Sequence, residues 1–168
     1  DLFDHVAFSL PPVEAELMDP HQRLALEEGY LALHAAGLSR SSLMGSVTGV
    51  FAGLWPSDYS AVLLKRGDVP RLPLAVTATG PSMLVGRISY VLGMQGPSIA
   101  FDTACSASLA ALQAALHDNA QASSHANLVL GVNVMCDSHV SSLFATAKMV
   151  SPRGKSHTFD ARADGYAR

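Results

Sequence analysis

Within residues 98–116 the chain turns from an extended run into a helix of unusually small side chains. Gly96-Pro97 opens a short apolar stretch of β type. Ala104, Ala107, Ala110, Ala111, Ala114 and Ala115 then fall on nearly every face of the helix that follows. A helix that is small and apolar all round is normally buried on all sides. The pattern therefore predicts a buried helix fed directly by a short apolar strand. Strand and helix alternate elsewhere too. Residues 47–53 read as a buried strand ending in a glycine-rich turn, 99–103 as the strand into the small-residue helix, and 128–135 as a third strand. Asp19 and Pro20 form a helix start, an N-cap followed by proline at the first helical position. Apolar residues recur at Leu24, Leu31 and Ala35, and Gly37 closes that helix. Further helices are expected over 58–65, 82–92 and 140–148, with loops at 67–73 and 119–125. Such alternation implies an α/β layered fold with a mainly parallel sheet.

Cys105 falls at the corner between the second strand and the small-residue helix. A lone free cysteine is most often a small buried hydrophobe. This position adds a chemical possibility. The unpaired N–H groups that open a helix stabilise a thiolate and can hold an oxyanion, so a cysteine there can attack a carbonyl. Cys136, just after an apolar β-type run, reads as structural.

Composition narrows the choices. Of 168 residues, 49% are hydrophobic and only 15% charged, which favours a large interior or a partner-covered surface. The net charge of −3, with no basic stripe, argues against nucleic acid. Two cysteines make no disulfide framework. The histidines form no His-x-x-x-His pair and no Cys/His quartet, so a metal site is not expected. Gly154-Lys155-Ser156 lacks the glycine five residues earlier that a phosphate loop needs; Met149 stands there. Neither Gly-x-Ser-x-Gly nor Gly-x-Gly-x-x-Gly occurs. No apolar run is long enough to span a membrane. The opening Asp1-Leu2-Phe3-Asp4, without Met or a basic segment, suggests a fragment, and the expected location is the cytoplasm, with organelle targeting left open.

Asp102-Thr103-Ala104-Cys105-Ser106-Ala107-Ser108 resembles the active-site signature of β-ketoacyl synthases, the ketosynthase domains of polyketide and fatty-acid synthases. Five other stretches resemble family landmarks in family order. Met18-Asp19-Pro20-His21-Gln22-Arg23-Leu24 is similar to a Met-Asp-Pro-Gln-Gln-Arg-Leu run. Gly86-Arg87-Ile88-Ser89-Tyr90 resembles the segment before the cysteine strand, and Gly131-Val132-Asn133 the strand after the cysteine helix. Ser151-Pro152-Arg153-Gly154 and the run from Phe159 to Asp164-Gly165-Tyr166 resemble two downstream landmarks. Departures also occur. Ala107 replaces a Ser, Leu130 a Gly, Lys148 a Gly and Arg153 an acidic residue, and Pro11-Pro12 disturbs an upstream spacing.

The resemblance implies a thiolase-like fold of α/β/α/β/α layers, incomplete and mainly its first half, with residues 1–168 a partial domain truncated at both ends. It implies acyl transfer to Cys105 from a carrier-protein thioester, then decarboxylative condensation with a malonyl-type thioester. Phe144 matches an aromatic that gates the acyl pocket, with a plain core aromatic as the other reading. Val76 and Ala78 fall in a segment implied to wall that pocket near a dimer interface. No cofactor is implied beyond the phosphopantetheine of an acyl carrier protein; the implied partners are that carrier, a second copy, and neighbouring synthase domains such as an acyltransferase. Asp19, Arg87 and residues 160–166 read as structural. The family's two histidine motifs match none of the seven histidines here, so these residues alone are expected not to catalyse condensation. Two alternatives stay open: a non-catalytic, chain-length-factor-like subunit, and a thiolase-fold acyltransferase that uses acyl-CoA. A papain-like hydrolase is disfavoured by the missing Cys-Gly-Ser-Cys signature.

Overall fold

The computed structural model describes residues 3–67 and 72–168. The chain divides into two compact units, Asp1–Val134 and Met135–Arg168. The first contains α1 (Pro12–Leu17), α2 (Pro20–Ala35), α3 (Arg40–Leu43), β1 (Thr48–Leu54), α4 (Tyr59–Arg66), α5 (Leu72–Thr79), α6 (Pro81–Leu92), β2 (Ser98–Phe101), α7 (Ala107–Ala120) and β3 (Ala126–Val132). The second contains α8 (Ser138–Thr146).

Among the described residues the sheet has three strands in the order β2-β1-β3, all parallel. The fully buried β1 is central, with Phe51 beside Ile99 on one side and Val129 on the other. Alternation along β1 sorts its side chains to two faces. Val50, Ala52 and Leu54 join the main core with Ala25, Leu26 and Leu33 of α2 and Leu84, Val85, Ile88 and Leu92 of α6. Phe51 faces the other way, onto Ala111 and Ala115 of α7. The result is helix, sheet, helix, as the strand–helix alternation predicts.

Three expectations need correction. Among the described residues the small-residue helix is covered on one face. Ala107, Ala111 and Ala115 lie against the sheet, whereas Leu109, Leu112 and Leu116 are 70%, 42% and 54% exposed. Alanines at i, i+4 and i+8 leave room for Phe51; the leucines occupy the opposite side. In α2 the buried residues are His21, Gln22, Ala25, Leu26, Gly29 and Leu33, and Leu24 and Leu31 face outward. The sheet and α6 select the first stripe. Residues 67–73 are not loop throughout, since α5 begins at Leu72 with Pro73 in its first turn, where a missing N–H costs nothing.

Leu130, in place of the resembling family's Gly, packs against the main core. Gly29 of α2 makes the space. A β-carbon there would stand 3.1 Å from Leu128 Cδ2 and 3.9 Å from the Leu130 methyls. Arg87 is structural as expected: it pairs with Glu14, and its Nε donates to Gln22 Oε1 at 2.6 Å.

In the second unit, α8 ends at Thr146 with Ala147 as its C-cap, and Lys148 lies in the left-handed region (φ 55°). Lys148 N–H donates to Ala145 O, and Met149 N–H to Phe144 O, both at 3.0 Å. This pair of bonds is a Schellman closure, whose left-handed position favours glycine. That is the physical sense of the Gly which the resembling proteins carry here. Further on, Val150 bridges Tyr166, and Arg153 and Arg162 pair with Asp164 and Asp160.

Candidate active site

The site is a corner. After β2 the chain passes through Asp102 and Thr103 into a single 3-10 turn, Ala104–Ser106, and directly into α7. Cys105 is the middle residue of that turn, and it is exposed. Ala104 adopts φ 52°. A non-glycine residue in the left-handed region costs about 1–2 kcal/mol, so the surroundings must hold it there. Ser106 Oγ donates to Thr103 O at 2.8 Å and lies 2.9 Å from Thr103 Oγ1. Ser106 N–H also reaches Thr103 O at 3.3 Å, and Ala104 N–H reaches Asp102 Oδ1 at 3.4 Å. Asp102 and Thr103 thus shape the turn from both sides of its backbone.

The turn is also held from below. Gly53 lies inside β1, not in a turn after it. A β-carbon at Gly53 would stand 2.3 Å from the carbonyl carbon of Ala107 and from the nitrogen of Ser108. The first turn of α7 therefore sits on bare backbone, and only glycine permits that approach. On the next strand Gly131 does the same less tightly, with Ser108 Cβ at 3.1 Å from its would-be β-carbon. Two glycines and one hydroxyl clamp thus fix where Cys105 is presented. A glycine within an apolar strand was the available signal for Gly53; Ala104 gave none, because alanine rarely adopts a positive φ.

The other predicted site residues are distributed as follows. Ala78 is buried on α5, and its carbonyl accepts from Asp19 N–H at 3.0 Å and Gln22 Nε2 at 2.9 Å. Val76 is on the same helix; its side chain lies outside the described residues. Thr77, between them, lines an open groove of about 540 Å³ with Leu10, Glu14, Met83, Arg87 and Tyr90. Phe144 belongs to α8 of the second unit, where the Arg168 guanidinium carbon stands 4.7 Å from its ring centre. Sequence reasoning passed over His21, which is buried at the start of α2 and accepts a hydrogen bond from Val134 N–H. Among the described residues no three His, Cys, Asp or Glu side chains are grouped to hold a metal ion, and no helix is long and apolar enough to cross a membrane.

A parallel α/β sheet that presents an exposed cysteine on a strained strand-to-helix corner has the thiolase-like architecture of ketosynthases. The chain belongs to the β-ketoacyl synthase N-terminal domain family, whose profile matches residues 1–168. It is 44% identical over 167 residues to a highly reducing polyketide synthase, easB, of Emericella nidulans, covering 99% of this chain and 6% of that protein. It superposes on the ketosynthase from module 6 of the Bacillus subtilis 168 bacillaene synthase with a TM-score of 0.85 and 33% identity, covering 98% of this chain and 28% of the other. The oxazolomycin ketosynthase domain of Streptomyces albus JA3453 matches with a TM-score of 0.87 and 33% identity, over 98% of this chain and 29% of its own. The chain thus spans a small part of the polyketide synthases it resembles and under a third of the solved ketosynthases.

Proposed function

We propose that this chain contributes the nucleophile of a condensing enzyme in polyketide biosynthesis, and that Cys105 carries the growing acyl chain. The observation that supports this most is the corner itself, an exposed thiol on a turn whose backbone is held against strain by Ser106, Thr103 and Gly53. In the proposed reaction the Cys105 sulfur attacks the carbonyl of an acyl thioester on a carrier protein's phosphopantetheine. A tetrahedral oxyanion forms, with the Cys105 backbone N–H as one donor to it. The carrier sulfur leaves as its thiol and the acyl group remains on Cys105. A malonyl-type carrier thioester then loses CO2, and the resulting carbanion attacks the acyl-cysteine carbonyl. The Cys105 sulfur departs, leaving a β-ketoacyl thioester two carbons longer.

Phe144, Val76 and Ala78 are assigned to the acyl pocket in this reading, and the partners are an acyl carrier protein, a second copy of the chain, and neighbouring synthase domains such as an acyltransferase. The test is made on the full-length protein with an acyl donor and malonyl carrier protein. Cys105→Ala is expected to lower product formation at least 100-fold, and Cys136→Ala to leave it within a few-fold. Equal product from wild type and Cys105→Ala would remove the proposal. An intact, folded protein with neither product nor acyl-cysteine would favour the non-catalytic, chain-length-factor-like alternative.

A further inference from the structure

His21, at the start of α2, is 3% exposed. Its Nε2 lies 2.5 Å from the backbone nitrogen of Val134, the last residue of the first unit. The Val134 N–H has a hydrogen to give, so Nε2 must be the bare, accepting nitrogen. The ring proton is then on Nδ1, which lies 3.8 Å from Asp19 Oδ1. Asp19 is itself fixed: its Oδ1 caps α2 by accepting from His21 N–H at 2.8 Å, and its own N–H donates to Ala78 O.

Arg87 of α6 is turned to Glu14 and Gln22. Neither β3 nor α5 contains a charged residue. Ser57, Thr79 and Gln22, which line the small cavity beside His21, are uncharged, and Asp58 follows Ser57 in the chain. The Asp19 carboxylate, 3.8 Å from Nδ1, stabilises the protonated ring. Val134 N–H can bond only to the unprotonated one. The two partners thus favour opposite protonation states of a single buried side chain.

We propose that His21 is a proton-sensitive positioning residue. As the neutral Nδ1–H tautomer it holds Val134 and fixes the point at which the chain leaves β3. As imidazolium it pairs with Asp19 and releases Val134. A glutamine at this position would present an acceptor that does not titrate. Nothing in the proposal depends on the chemistry of Cys105.

Amide hydrogen exchange on the full-length protein tests it, read at the peptide containing Val134 and corrected for the intrinsic pH dependence of exchange. Wild type is expected to protect Val134 at pH 8.5 and to lose at least tenfold of that protection, reversibly, by pH 4.5. His21→Gln is expected to keep its protection across the range, and His21→Met to lose it at every pH. Wild-type protection unchanged between the two pH values would overturn the proposal. So would an equal loss in wild type and His21→Gln. If His21→Met does not fold, the comparison of wild type with His21→Gln still decides.

Discussion

The corner around Cys105 and the segment after Val134 are held by different forces. The corner rests on a core. Phe51 is buried against Ala111 and Ala115 of α7, Gly53 of β1 lets the helix backbone touch the sheet, and Gly131 of β3 leaves room for the Ser108 side chain. The second unit has no buried apolar side chain; its one buried residue is Ser151. Its shape depends on the Schellman closure of α8, on the Val150–Tyr166 bridge, and on carboxylates paired with arginines at half-exposed positions. Packing is insensitive to salt and mild acid, and exposed ion pairs are sensitive to both. The difference teaches where each region is vulnerable: the corner to added volume, the second unit to lost charge.

The largest expected effect is at Gly53. Gly53→Ala drives a β-carbon into the backbone of Ala107 and Ser108, where no side chain can swing aside. Overpacking costs about 1–3 kcal/mol, and contact with rigid backbone puts this site at the upper end. Thermal unfolding should show a large drop in Tm, together with slower reaction of Cys105 with a thiol reagent of carbonyl-like size. A variant with wild-type Tm would mean that α7 does not rest on β1 as described.

Acid should separate the two units next. The Ser151 hydroxyl, followed by Arg153, holds the Asp164 carboxyl below the usual carboxylate range, and Arg162 does the same for Asp160. Groups whose folded pKa is depressed contribute stability that is complete above their ordinary value, about 3.9 for Asp. That stability is lost as pH falls through the depressed values. Exchange at the Ser151 and Tyr166 amides, which bond to Tyr166 O and Met149 O, should therefore rise between pH 5 and pH 3 relative to the β1 amides. Asp164→Asn should produce the same opening at neutral pH. Parallel behaviour of the two sets of amides would erase the contrast.

The smallest effect is a gain. Lys148→Gly removes the left-handed penalty at the C-terminus of α8 and is expected to stabilise that end by about 1 kcal/mol. Slower exchange at Met149 N–H is the measure. No change would show that the Schellman geometry is not populated.

Local features were the legible ones. The cysteine corner could be read because the Gly-Pro turn, the apolar run and the alanines are contiguous, and α2 announced itself through Asp19 and Pro20. What sequence could not decide was which stripe of a helix turns inward. In α2 both Leu24/Leu31 and Leu26/Leu33 are apolar, and the choice belongs to β3 and α6, which lie far along the chain. In α7 the alanines masked a one-sided helix, because its leucines sit together on the face away from Phe51. The segment resemblances identified the family, and they also hid His21, whose difference from glutamine looks conservative until its bond to Val134 is seen.

The central claim is that this corner presents Cys105 to take an acyl chain. Its most direct measurement is peptide-level mass spectrometry of the full-length protein after brief reaction with an acyl thioester. The account predicts one acyl adduct, on the peptide containing Cys105 and absent from Cys105→Ala. An adduct on Cys136 instead, or none on a protein whose fold is intact, would contradict it.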